Sequence, residues 1–326
     1  MPETILTIGD PHFQVSNLPI IDDYIESVLT VLKEHKVTLC VILGDLLHTH
    51  EKVHAMVQNK AIDFVQKVSS NCPTIVIVGN HDMINNSQFL TENHWMNVMK
   101  PYTGIEIVDK GLVLPTDIGD LYFCPYVYPG RFIEALNTIS PDWCNARMIF
   151  AHQEINGCKS GAYEMTGGDE WKEEYPYLVS GHIHDRQRLG PNMFYPGSSM
   201  QHAFGESASK TVTVWNITQD TITHTEVSLG MRRKRIIRLD LQGIEEYVPP
   251  GNEDIRINVK ATPAEIKRFK KSKKYKSLID QKVKIMFKPI TEETCTPVDN
   301  ELPFDTLLRK ECEKDSELST LYKTYF

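Results

Sequence analysis

Five short runs of apolar and β-branched residues, Thr4–Ile8, Leu39–Leu43, Thr74–Val78, Arg147–Phe150 and Tyr177–Ser180, each end in a polar cluster. At four or five residues, bounded by Gly, Pro or polar positions, they predict buried strands. Between the first two, Ile21, Tyr24, Ile25, Val28, Leu29 and Leu32 recur at helical spacing and predict a helix over Ile20–Lys36. A second helix over His54–Ser69 precedes the third strand, so the opening reads βαβαβ and favours a layered α/β sheet. Residues 86–135 are less regular, with a helix around Trp95–Met99 and short strands at Ile105–Val108 and Leu121–Tyr126. Thr211–Thr218 and Thr221–Val227 alternate with period two across Gln219-Asp220, as in a hairpin.

The texture changes after Gly230, which predicts two domains, 1–229 and 230–326. The second reads strand Arg235–Leu241, strand Asp254–Val259, helix Pro263–Ile279 and strand Val283–Lys288. Thr262, Pro263 and Glu265 form a capping-box helix start. Phe304–Phe326 carries Leu307, Leu308, Leu318 and Leu321 in the pattern of a closing amphipathic helix.

With 41% hydrophobic and 24% charged residues over 326, the composition is that of a globular protein and excludes a disordered or fibrous chain. Apolar runs of about five residues fall far short of the ~20 that span a bilayer, so no membrane association is expected. The N-terminus lacks the basic and apolar regions of a secretory signal. Seven scattered cysteines without a C-x-x-C suggest neither a disulfide framework nor a thiolate zinc site. A reducing compartment, cytoplasm or nucleus, is the expectation. The net charge of −8 hides an asymmetry, because residues 1–228 carry 14 basic and 27 acidic side chains, whereas 256–288 carry 12 and 2. An acidic body thus bears a basic appendage.

The polar clusters that end the strands are Gly9-Asp10-Pro11-His12, Gly44-Asp45-Leu46-Leu47-His48, Gly79-Asn80-His81-Asp82, Ala151-His152 and Gly181-His182-Ile183-His184. Open α/β sheets gather ligands at the carboxyl ends of their strands, so these five dispersed clusters converge on one crevice. Asp, Asn and His donors without Cys suit Mn, Fe or Zn, and there are too many for one ion. Two divalent ions sharing a carboxylate would use them all.

As an ordered set, these blocks resemble the calcineurin-like metallophosphoesterase superfamily over about residues 4–228. The resemblance implies an αββα sandwich. It also implies that Asp10, His12 and His184 hold a first metal, Asp45 bridges, and Asn80, His152 and His182 hold a second. His81 would face the substrate, oriented by Asp82. Gly-Asp-Leu-Leu-His lacks the Arg that follows this block in the protein phosphatases, and His48 stands where the DNA-repair nuclease branch has a further active-site histidine. The segment Tyr195–Glu206 resembles the Gly-Ser segment of that branch, typified by bacterial SbcD and the eukaryotic meiotic-recombination nuclease. The second domain resembles its β-α-β DNA-binding cap in layout. Ala151 departs from the usual Gly, which is harmless where φ is negative.

The remaining histidines, 35, 50, 54, 94, 202 and 224, read as structural, with His202 the least clear because it lies in the Gly-Ser segment. Trp95 reads as core or interface rather than a base-stacking platform, and the cysteines as small buried apolar groups. Lys267, Arg268, Lys270, Lys271, Lys273, Lys274 and Lys276 place seven cations within ten positions and no acid among them, which suits phosphate binding beyond what solubility requires. The combined expectation is a Mn-preferring, two-metal DNA nuclease acting on duplex ends or single strands. By resemblance it would partner an SbcC-like coiled-coil ATPase, and self-association into a homodimer is compatible. A phosphatase or small-molecule phosphodiesterase, and a silent scaffold on the same fold, stay open as alternatives.

Overall fold

The computed structural model describes residues 3–50, 52–290 and four later positions, 312, 314, 318 and 322. Apart from those four positions, the helix expected over Phe304–Phe326 lies outside the described residues. The chain forms two compact units, Met1–Ile237 with Pro249–Arg256, and Arg238–Val248 with Ile257–Phe326.

The first unit holds two six-stranded sheets. In one, Glu3–Ile8, Leu39–Ile42, Thr74–Ile77 and Ile105–Val108 run parallel, and the hairpin Val212–Ile217/Ile222–Val227 adds antiparallel at the Glu3–Ile8 edge. In the other, Leu121–Cys124, Met148–His152, Tyr177–Gly181 and Met193–Tyr195 run parallel between antiparallel edges Leu112–Leu114 and Gln187–Leu189. Side chains alternate across each strand, and because both faces are covered the strands read as continuous apolar runs. Ile5, Val41, Ile75, Ile77 and Trp215 of the first sheet meet Phe123, Phe150 and Val179 of the second between the sheets. On the opposite faces Leu6, Ile8, Cys40 and Ile42 pack on helices Leu18–Glu34 and Ala55–Ser69, while Tyr122, Ile149 and Leu178 pack on helix Phe132–Ile139. Four layers result, in the order helix, sheet, sheet, helix.

Helix Phe132–Ile139 has no strong start signal in its own sequence. Its first turn is held from a distance: the buried Asp169 carboxylate accepts from Gly130 N (2.8 Å) and Phe132 N (3.0 Å). Asp169→Ala strands both donors and should cost about 1–3 kcal/mol in urea unfolding. A loss below about 0.5 kcal/mol would show that water replaces the carboxylate.

The second unit and the strands entering it form a three-stranded sheet, Arg233–Leu239, Glu253–Ala261 and Lys284–Pro289. The expected Pro263–Ile279 helix is two helices, Pro263–Phe269 and Lys273–Asp280. Thr262 caps the first with the expected box, and Ser272 caps the second by accepting from Tyr275 N (3.0 Å). Phe269 and Leu278 are both buried. Nine positions apart, they would face opposite sides of one continuous helix at about 100° per residue, and the break lets both turn inward.

Candidate metal centre

Every strand that ends in one of the five polar clusters delivers it to the same edge of the two sheets. The clusters are sewn together across the gap: His182 N donates to Asp10 Oδ1 (2.9 Å), His152 Nδ1 to Leu43 O (2.6 Å), and His12 N to Asp45 O (2.9 Å). Asp10, His12, Asp45 and His182 all have φ between 41° and 82°, a left-handed conformation that costs non-glycine residues about 1–3 kcal/mol each. Those cross-links hold the strained turns. Gly79 is required for close approach, since a Cβ there would overlap Asp45 Oδ1 and N. Ala151 lies inside strand Met148–His152 without positive φ, so the departure from Gly is harmless as expected.

The structure brings all seven expected ligands together. Asp10, His12 and His184 offer donor atoms within 4.8 Å of one another, as do Asp45, His152 and His182. His12 Nε2 lies 2.9 Å from His184 Nε2 and 3.4 Å from Asp45 Oδ2. On the other side Asp45 Oδ1 is 3.4 Å from His152 Nε2, and Asn80 Oδ1 is 3.0 Å from His152 Nε2 and 2.9 Å from His182 Nδ1. Asp45 therefore faces both groups, one oxygen to each. The donor set fits divalent ions: Asp10 Oδ2 is buried without a hydrogen-bond partner, and the Leu43 carbonyl fixes the His152 proton on Nδ1 and points Nε2 at the cluster.

Electrostatics agree. Burial drives the Asp10 carboxyl up, against the pull of His152 and His184. Burial opposes ionisation of Asp45 too, yet the charges of His152, His12 and His81 outweigh it and hold that carboxyl well below the usual range. Burial works against a charged His152 as well, but Asp45 and Asp10 overcome it and push the group up to about 9. An ion taken up at Nε2 must displace the second proton that the charged ring carries there, so uptake tightens as pH rises toward 9.

His81 sits at the rim, its ring 4.8 Å from His12, and donates Nδ1–H to the His48 carbonyl (2.7 Å). His48 stacks on one side of it at 5.7 Å, with its own Nδ1 3.4 Å from His12 Nδ1. The expected orientation of His81 by Asp82 is corrected. The Asp82 carboxylate accepts from Gly79 N (3.0 Å), Leu46 N and Leu47 N (3.4 Å each) and Trp95 Nε1 (3.0 Å), with no bond to the His81 ring. Burial and the nearby charge of Asp45 push Asp82 up to about 7. It braces the turn that carries Asp45, and the His48 carbonyl takes the orienting role. Trp95 keeps its structural reading.

Two histidines read as structural belong beside the centre. His50 stacks on His81 at 4.3 Å. His202 lies 4.9 Å from His12 and 5.3 Å from His184, and donates Nε2–H to Asp10 O (2.8 Å). Glu206, held down to about 2 against its burial chiefly by the nearby His184 ring (Nδ1 at 3.8 Å) and the hydrogen bond from His202 N, fixes that loop. The Gly-Ser segment is the sequence signal that points to His202 and Glu206. His94, by contrast, pairs with Asp109 (3.0 Å) as a structural residue, and Cys144 is exposed, unlike the buried Cys40, Cys72, Cys124 and Cys158.

The lysines of the second unit are displayed to solvent: Lys267, Arg268, Lys270, Lys271, Lys273 and Lys276 are exposed and Lys274 is half-buried. No helix among the described residues is long and apolar enough to cross a membrane.

Residues 3–186 match the family model of the calcineurin-like phosphoesterases. The protein named Putative phosphoesterase 244L of Invertebrate iridescent virus 6 is 44% identical over 276 residues, covering 82% of this chain and 98% of that one. Putative phosphoesterase 078R of Invertebrate iridescent virus 3 is 35% identical over 333 residues, 99% and 96% of the two chains. Among solved structures, a dimetal phosphatase from Danio rerio aligns over 70% of this chain and 96% of its own, at 10% identity and a TM-score of 0.49. With the sandwich, the five ligand clusters and the two viral relatives in hand, the chain belongs to the calcineurin-like phosphoesterase family, hydrolases of phosphate esters.

Proposed function

We propose that this phosphoesterase is a DNA nuclease that uses two divalent ions, preferably manganese, to hydrolyse phosphodiester bonds. The observation that carries the choice of DNA is the Lys267–Lys276 stretch, seven cations without an acid, displayed on two short capped helices and the turn between them. A small phosphate ester needs no such surface, whereas a polyanion gains affinity from each phosphate it neutralises. Imidazole and oxygen donors together accommodate manganese, as they do iron or zinc. Asp10, His12 and His184 would hold one ion, Asn80, His152 and His182 the other, and Asp45 both. When bound, the ions supply positive charge to the phosphate oxygens as the ester bond breaks. His81, whose Nδ1–H is held by the His48 carbonyl, presents Nε2 to the substrate; with Nε2 also protonated, the imidazolium would give that proton to the departing oxygen and return to the neutral ring. The free cysteines accord with a reducing compartment, cytoplasm or nucleus. A coiled-coil ATPase partner and a homodimer belong to the same reading, supported by the resemblance alone.

The lysines give the test. Lys270, Lys271, Lys273 and Lys274 changed together to Gln should weaken duplex binding. The slope of log affinity against log salt should become shallower by about 0.9 for each phosphate no longer neutralised. Lys270 lies 5.3 Å over the Phe287 ring, so a stability loss of about 0.5–1 kcal/mol accompanies the change. Hydrolysis of bis-p-nitrophenyl phosphate should be unaffected. Unchanged DNA binding and salt slope would return the stretch to a solvated surface and favour the small-substrate phosphodiesterase.

A further inference from the structure

His202, like His50, lies beside the metal centre without a place in the family pattern, and it is the one that touches the Asp10, His12 and His184 group. Its Nε2 lies 2.8 Å from the carbonyl oxygen of Asp10. A carbonyl can only accept, so Nε2 carries the ring proton and Nδ1 is a bare lone pair. That Nδ1 is buried and has no hydrogen-bond partner in the protein. A buried acceptor left unsatisfied costs about 1–3 kcal/mol, and native folds rarely leave one without a reason.

The loop is built to keep the ring where it is. The Glu206 carboxylate accepts from His202 N (3.0 Å) and Ala203 N (3.2 Å), and Lys234 Nζ donates to the carbonyls of Gln201 (2.7 Å) and His202 (3.1 Å). Lys210 Nζ ties the same loop to the His184 carbonyl (2.8 Å). The ring so held stands edge-on to His12 and His184, whose Nε2 atoms are 2.9 Å apart. Asp10, whose carbonyl His202 grips, supplies the other buried unpaired acceptor of this half of the centre, Oδ2.

We propose that His202 is an eighth residue of the metal centre, a positioning residue whose unpartnered Nδ1 accepts from the hydration shell of the ion held by Asp10, His12 and His184. The inference rests on the two-ion reading above. Groups that bracket bound metals in this way typically change affinity 10–100-fold when removed.

Titration calorimetry with manganese, alongside metal analysis of the dialysed protein, separates the two claims. Wild type should take up two ions; fewer would overturn the two-ion reading itself. His202→Gln keeps an N–H able to reach the Asp10 carbonyl but places no acceptor where Nδ1 stands, and His202→Phe keeps the ring and removes both nitrogens. Both variants should bind one ion with wild-type affinity and the other at least 10-fold more weakly. The metal-free melting temperature of the Gln variant should stay at the wild-type value. Two wild-type affinities in the Gln variant would overturn the role of Nδ1. A drop in its metal-free melting temperature without a selective change in one ion would reduce His202 to structural support and overturn the proposal equally.

Discussion

Asp45→Asn should abolish hydrolysis, lowering turnover about 10³-fold or more, and should strip metal from the protein. Asp45 faces both ligand groups, Oδ2 toward His12 and Oδ1 toward His152, each at 3.4 Å. Loss of its charge leaves two dications to repel each other across a neutral amide, and several kcal/mol of transition-state stabilisation go with them. The fold should survive, because an Asn oxygen can still accept from His81 N, as Asp45 Oδ1 does at 2.8 Å. Metal analysis and hydrolysis of bis-p-nitrophenyl phosphate check the two halves of this expectation. Near-wild-type activity in manganese would contradict a bridging carboxylate.

His81→Ala should leave metal content intact and lower turnover about 10²–10⁴-fold, the range for loss of a positioned acid or base. The His81 ring is half-buried at the rim, fixed through Nδ1 to the His48 carbonyl and stacked between His48 and His50. That arrangement leaves Nε2 for chemistry. His12, His48 and His81 also offer nitrogens within 4.8 Å of one another, so the alternative is concrete: an ion held there would be lost on the same substitution. Metal loss in His81→Ala would move this residue into the coordination shell and end its role in proton exchange.

The central strands are legible in the sequence because each is buried on both faces, and a continuous apolar run cut off by Gly-Asp or Gly-Asn has few other readings. The same logic finds the five polar clusters, since a strand end fixes where its next residues point; which seven of their residues are ligands is read from the family resemblance. His202 escapes it because its position depends on a loop folded back by Glu206 and Lys234, which lie 4 and 32 residues away with no period between them. Adjacency alone pairs Asp82 with His81, yet in the short 3-10 turn Asn80–Asp82 neighbouring side chains diverge, and the carboxylate finds backbone N–H groups instead. The Lys-rich segment reads as one helix because Lys, Arg and Tyr are all compatible with helix. The spacing of Phe269 and Leu278 forbids both from being buried on one, and that spacing is the signal for the break.

End-labelled duplex DNA incubated with protein stripped of metal, then with manganese restored, tests the central claim most directly. Shortened products should appear only after manganese is added, and should be missing with Asp45→Asn. Intact DNA in manganese, under conditions where the same preparation hydrolyses bis-p-nitrophenyl phosphate, would contradict the nuclease reading and leave a phosphoesterase of small substrates.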